Sequence, residues 1–112
     1  MNKNVACGRV LQDPKIRESN GVLIASLLLI TKHTYKTRGE YLSDTILYKG
    51  FGPVAEHIAK NIRKGDAVMI EANVSNYVYK NSDGITQSEV QLTINSIERF
   101  TKHTENTLEL LD

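Results

Sequence analysis

The sequence has no tryptophan, a single cysteine (Cys7) and two prolines among its 112 residues. One cysteine excludes a disulfide framework and a zinc site built from several thiolates. No apolar run approaches the ~18 residues of a membrane-spanning helix, and no signal peptide opens the chain. A soluble cytoplasmic protein without a membrane partner is therefore expected. Surplus charge is also missing: 14 Lys+Arg stand against 13 Asp+Glu, a net +1. What is present is ordinary for a globular chain, with 40% hydrophobic and 24% charged residues, too apolar for a disordered one. The length suits one domain with a real core.

The small net charge hides an uneven distribution. Residues 1–38 carry Lys3, Arg9, Lys15, Arg17, Lys32, Lys36 and Arg38 against only Asp13 and Glu18. The last ten residues carry Glu105, Glu109 and Asp112 and no Lys or Arg. A basic front and an acidic end keep an anionic partner open where the total would argue against one.

Strand signals dominate. Asn4–Leu11 is strand-like, with Gly8 marking a bend. Gln12-Asp13-Pro14 breaks it. Asn20-Gly21 is a hairpin turn signal between two strand-like stretches. Val22–Thr31 is nearly continuous apolar sequence; a helix fits its periodicity as well, but the preceding turn favours a strand buried on both faces. Residues 32–42 are polar and basic and read as a long loop. Thr45–Phe51 is a third strand.

Pro53 suits the first turn of a helix and Gly65 its C-terminal cap. Val54, Ala55, Ile58, Ala59 and Ile62 recur at helical spacing between them. Ala67–Tyr79 and Thr86–Ile97 alternate with period two, joined by the turn Asn81-Ser82-Asp83-Gly84. From Phe100 on the chain turns polar, a frayed end or a short helix. Five strands with one helix between the third and fourth match an all-β OB-fold, a five-stranded barrel with the helix plugging one end. The domain is expected over residues 1–100, with a short acidic tail over 101–112.

Catalytic chemistry has no foothold. His33, His57 and His103 have no fixed spacing to Cys or to paired carboxylates, so neither a metal set nor an acid–base pair converges. No phosphate loop, nucleophile elbow or dinucleotide fingerprint is present. No enzyme activity and no cofactor are expected.

The aromatics say more. They are Tyr35, Tyr41, Tyr48, Phe51, Tyr77, Tyr79 and Phe100. Tyr35 and Tyr41 stand among Lys32, Lys36 and Arg38. Tyr77 and Tyr79 share one face of a strand and lead into Lys80. Rings interleaved with cations suit single-stranded nucleic acid, which offers a π-face at each base and a charge at each phosphate. Cross-strand packing is the plain alternative for Tyr77 and Tyr79, and core packing for Phe51.

The order of these stretches resembles the bacterial single-stranded DNA-binding protein family from about Asn2 to Phe100. The matching segments are Met1-Asn2-Lys3 running into Gly8-Arg9, Gln12-Asp13-Pro14 with Ile16-Arg17, and Asn20-Gly21. Further along they are Phe51-Gly52 with Val54-Ala55-Glu56, and Arg63-Lys64-Gly65-Asp66 before Val68-Met69-Ile70-Glu71. The resemblance implies an OB-fold that stacks bases on aromatic rings. Tyr35 and Tyr79 take the places of two family stacking tryptophans, Thr45 that of a third, and Phe51 that of the family's strand phenylalanine. Ile46 and Leu47 replace a His and an Arg, of which the His helps order the family tetramer. The ending Leu108-Glu109-Leu110-Leu111-Asp112 lacks the family's long tail with its terminal Pro-Phe, as in a phage- or plasmid-type version or a truncated chain.

The expectation is a sequence-independent single-stranded DNA-binding protein serving replication, recombination or repair. Stacking falls to Tyr35, Tyr79, Phe51 and Tyr77. Phosphate contacts fall to Lys3, Arg17, Lys32, Lys36, Arg38, Lys49 and Lys80. The expected partners are single-stranded DNA, further copies of the chain in a tetramer or dimer, and replication or recombination proteins. The rival is an OB-fold protein-interaction adaptor of a replisome or primosome.

Overall fold

The computed structural model describes residues 1–100, and of Thr34, Tyr35 and Thr37 the backbone alone. The acidic tail read at 101–112, and any helix in it, lies outside the described residues. The elements are β1 (Asn4–Val10), β2 (Lys15–Ser19), β3 (Val22–Thr37), β4 (Glu40–Phe51), α1 (Pro53–Asn61), β5 (Ala67–Lys80) and β6 (Thr86–Arg99). The sheet order is β1-β5-β6-β4-β3-β2, and β1 also pairs with β3. That extra pairing closes β1, β5, β6, β4 and β3 into the expected five-stranded barrel, with α1 as its single helix. The barrel is mixed, because β4 runs parallel to β6 at Lys49↔Thr93. The stretch before Asn20 forms β2, which adds to β3 outside the closed ring.

Closure depends on Gly8. β1 pairs with β5 from Asn4 to Arg9 and with β3 on its other edge through Arg9↔Ile30 and Val10↔Leu29. A Cβ on Gly8 would lie 2.1 Å from the Ile30 carbonyl oxygen. Only a residue without a side chain lets the two backbones approach this closely.

Two hairpin turns have the same geometry. Asn20 and Gly21 both have positive φ, 52° and 80°, the conformation that suits the twist of a two-residue hairpin. Arg38 and Gly39 repeat it at 53° and 82°. The segment 32–42 is therefore not a loop. β3 and β4 continue through it as a paired arm that ends in Lys36↔Tyr41 and Thr37↔Glu40, with a register shift between Lys32 and Lys36.

The helix is shorter than its apolar pattern suggests. Ile62 is already extended, at φ −105° and ψ 130°. Gly65 is not the helix cap but the left-handed residue (φ 88°) of the turn that follows. The terminal carbonyls of Ala59 and Ile62 are capped by Arg63 Nη1, at 2.7 and 2.8 Å. Pro53 sits in the first turn as expected. Ala55 and Ile58 of the helix and Ile62 after it are fully buried, against Leu27, Leu29, Tyr48, Val68 and Ile70.

Tyr48 is the largest side chain in that core, and its hydroxyl donates to Asn4 Oδ1 at 2.6 Å. Burial raises its pKa. A phenol held neutral in the fold favours folding below its unfolded pKa of about 10, and that contribution is lost as pH rises through the higher folded value. Urea melts at increasing pH should therefore show constant stability in the neutral range and a fall above pH about 10, reduced in Tyr48→Phe.

Candidate nucleic-acid interface

Strand alternation sorts the barrel's side chains. Ala25, Gly50, Ile94 and Ala72 point inward and are buried. Their neighbours point outward, and the registers join them into one rung across five strands: Lys15↔Ser26, Ser26↔Lys49, Lys49↔Thr93 and Thr93↔Asn73. Two residues to one side lies Arg17↔Ile24↔Phe51. To the other side lie Leu28↔Leu47 and Ser75↔Gln91, then Tyr77↔Glu89, then Tyr79↔Gln87. One outward face thus carries Lys15, Arg17, Lys49, Phe51, Leu47, Tyr77 and Tyr79.

Tyr77 and Tyr79 do more than share a strand face. Their rings stack on each other, with centroids 5.6 Å apart and planes 27° apart. Tyr77 is 54% exposed, so cross-strand packing does not consume its surface. The Tyr79 hydroxyl donates to Glu89 Oε1 at 2.9 Å. That hydrogen bond, with Glu89's charge adding to it, raises the Tyr79 pKa and keeps the phenol a neutral donor. Phe51 is 36% exposed on the same face. Tyr48, three residues before Phe51 and on β4's inward side, is wholly core and offers no ring.

The remaining cations are divided between the face and the hairpin tips. Lys32, opposite Ser43, stands where the β3–β4 arm leaves the barrel. Lys36 Nζ lies 5.3 Å from the centre of the Tyr41 ring, a cation–π contact. Arg38 occupies the arm's turn. Tyr35 lies in β3 within the register shift between Lys32 and Lys36. Lys80 is exposed at the end of β5, before a turn in which Asn81 Oδ1 accepts from the Asp83 and Ile85 amides. Lys3 is already paired, at 2.7 Å, with Glu71.

Sequence reasoning passed over Lys15, Leu47 and Glu89 as members of this face. Lys15 had a signal, its period-two spacing from Arg17. Leu47 and Glu89 become neighbours of the tyrosines only through β4–β6 and β5–β6 pairing. Among the described residues, no group of three His, Cys, Asp or Glu lies close enough to hold a metal ion.

Residues 1–100 match the profile of the Single-strand binding protein family. The chain belongs to that family. Membership agrees with the resemblance in the sequence and, since these proteins bind DNA without catalysing a reaction, with the expectation of no enzyme activity. Relatives are 29% identical: the Single-stranded DNA-binding protein 2 of Staphylococcus aureus over 75% of this chain, and the Single-stranded DNA-binding protein of Staphylococcus epidermidis over 95% of it. The Single-stranded DNA-binding protein 3 of Listeria innocua is 30% identical over 75% of this chain. The matched regions span 61% of the S. aureus protein, 81% of the S. epidermidis protein and 54% of the L. innocua protein.

Proposed function

We propose that this single-strand binding protein family member binds single-stranded DNA, largely independently of sequence, by stacking bases on tyrosine. The observation that carries the reading is the contacting Tyr77–Tyr79 pair on the face that also holds Lys15, Lys49 and Phe51. A base offers a ring surface whatever its identity, and cations follow the phosphates. Tyr35 and the cations Lys32, Lys36 and Arg38 extend the path along the β3–β4 arm, and Lys80 along the β5–β6 hairpin. Arg17 flanks Phe51 at the other end. Lys3 contributes only by exchanging Glu71 for a phosphate.

Coating exposed strands during replication, recombination or repair is the role this binding serves, in a phage- or plasmid-type protein acting in the bacterial cytoplasm. Association of copies into a dimer or tetramer would raise the avidity of a modest single site. Replication or recombination proteins are the partners in that role.

Titration of the protein's tyrosine fluorescence with oligo-dT should give saturable quenching. The logarithm of affinity should fall with the logarithm of salt at about −0.7 per neutralised phosphate. Lys15→Ala and Lys49→Ala should each make that slope shallower by about 0.7. Variants that leave the slope unchanged would remove the Lys15–Lys49 rung from the DNA path.

A second reading, the protein-interaction adaptor, draws on the opposite face of the β5–β6 hairpin. Val78 and Val90 are 60% and 70% exposed there, on adjacent rungs. An absence of quenching and of a gel shift with oligo-dT at moderate salt would favour it.

A further inference from the structure

The tyrosine face contains a carboxylate that a purely charge- and stacking-driven surface does not need. Glu89 lies directly across from Tyr77. A negative charge beside a phosphate path repels it, so Glu89 weakens sequence-independent binding. It also borders a recess of about 100 Å³, lined on this face by Leu47, Tyr77, Gln91 and Lys49. One leucine, an aromatic ring and a few polar groups are a lining that a planar base can use.

Among the polar groups of the recess, Glu89 has a definite sense. A carboxylate only accepts hydrogen bonds. Tyr79 uses one oxygen of Glu89, and the second has no protein partner among the described residues. Gln91 directs its Nε2 to Thr93 Oγ1 at 3.3 Å, and its amide keeps both a carbonyl acceptor and a second N–H donor. Lys49 is the one cation on the rim. A free carboxylate oxygen beside a cation suits a base edge that donates. The amino group of cytosine meets that need, and Glu is an established kind of acceptor for it. Thymine presents its O4 carbonyl oxygen where cytosine carries that amino group, and there like would face like.

We propose that this recess is a base-edge subsite that favours bases carrying an exocyclic amino group, cytosine above thymine, with Glu89 as the acceptor. It rests on the single-strand reading and adds a modest preference to otherwise tolerant binding. Glu89 is then a specificity-determining residue. The plainer role, holding the Tyr79 ring, is separable from it. Glu89→Gln keeps a carbonyl acceptor for the Tyr79 hydroxyl but turns an amide donor toward the base.

The test titrates the full chain and Glu89→Gln with dC and dT oligonucleotides of equal length at one salt concentration. A dC oligonucleotide built from N4,N4-dimethylcytosine, which lacks the amino protons, is the third ligand. The wild-type protein should favour dC over dT by about fivefold, the lower end for one base contact. The dimethylated oligonucleotide should lose that advantage. Glu89→Gln should bind dT more tightly than the wild type does and show no preference for dC. Equal dC-to-dT ratios in the two proteins, with dT binding intact, would overturn the subsite and leave single-strand binding standing. Failure of the wild type to bind any of the three would overturn the single-strand reading itself, and the subsite with it.

Discussion

Tyr77→Ala/Tyr79→Ala should weaken binding of single-stranded DNA by roughly a hundredfold, with little change in melting temperature. Loss of a stacking ring costs about 1–3 kcal/mol per base, and each 1.4 kcal/mol is tenfold in affinity. The two rings touch at 5.6 Å between centroids, so their contributions should not be independent. Removing either ring takes away a neighbour that holds the other, and the single losses should sum to more than the double. Stability should hardly move, because both side chains lie outside the core on the projecting part of β5. Equal affinities for the wild-type and doubly substituted proteins in a dT titration would place the bases elsewhere.

Gly8→Ala should lower stability by about 3 kcal/mol, the upper end for forcing extra atoms into packed structure. For a domain of this size that corresponds to a fall in Tm of roughly 10–20 °C. The new Cβ would meet the Ile30 carbonyl at 2.1 Å and the Leu29 side chain at 3.1 Å. The first contact is backbone, so no rotamer change relieves it, and the β1–β3 seam that closes the barrel must open. Gly21→Ala is the contrast. Its turn has open space around it, and the cost there is only that of a left-handed alanine, about 1–2 kcal/mol. Thermal melts that rank Gly21→Ala as the more damaging would contradict the closure described for β1.

The elements that could be read in the sequence were those with a local cause. Asn20-Gly21 announces its turn because Asn and Gly tolerate positive φ. The alternation of Ala67–Tyr79 announces β5 because one of its faces is buried over its first half, at Val68, Ile70 and Ala72. The arm of β3 and β4 was missed for the complementary reason. Arg38 bears a Cβ at positive φ and is not a residue that marks such turns. None of the arm's described side chains belongs to the core, and no apolar alternation marks the segment in the sequence. The helix end was misplaced because Ile62 continues the apolar spacing while its backbone is already extended.

The candidate site divides in the same way. That Tyr77 and Tyr79 share a face follows from period two alone. The recess beside them and the place of Lys15 on their face depend on registers between strands, with Ser26↔Lys49 and Lys49↔Thr93 among them. Lys3 shows the reverse case. It looked like a free cation in the sequence, and β1–β5 pairing gives it Glu71.

The central claim is that exposed tyrosine rings bind unpaired bases, which only a single strand presents. A competition titration measures this directly: labelled oligo-dT is bound at moderate salt and displaced either by the same unlabelled strand or by a duplex of equal length. Displacement by the single strand at concentrations at least tenfold below those needed of the duplex is the predicted result. Equal displacement by the two would mean that phosphates alone are recognised, and would contradict the account.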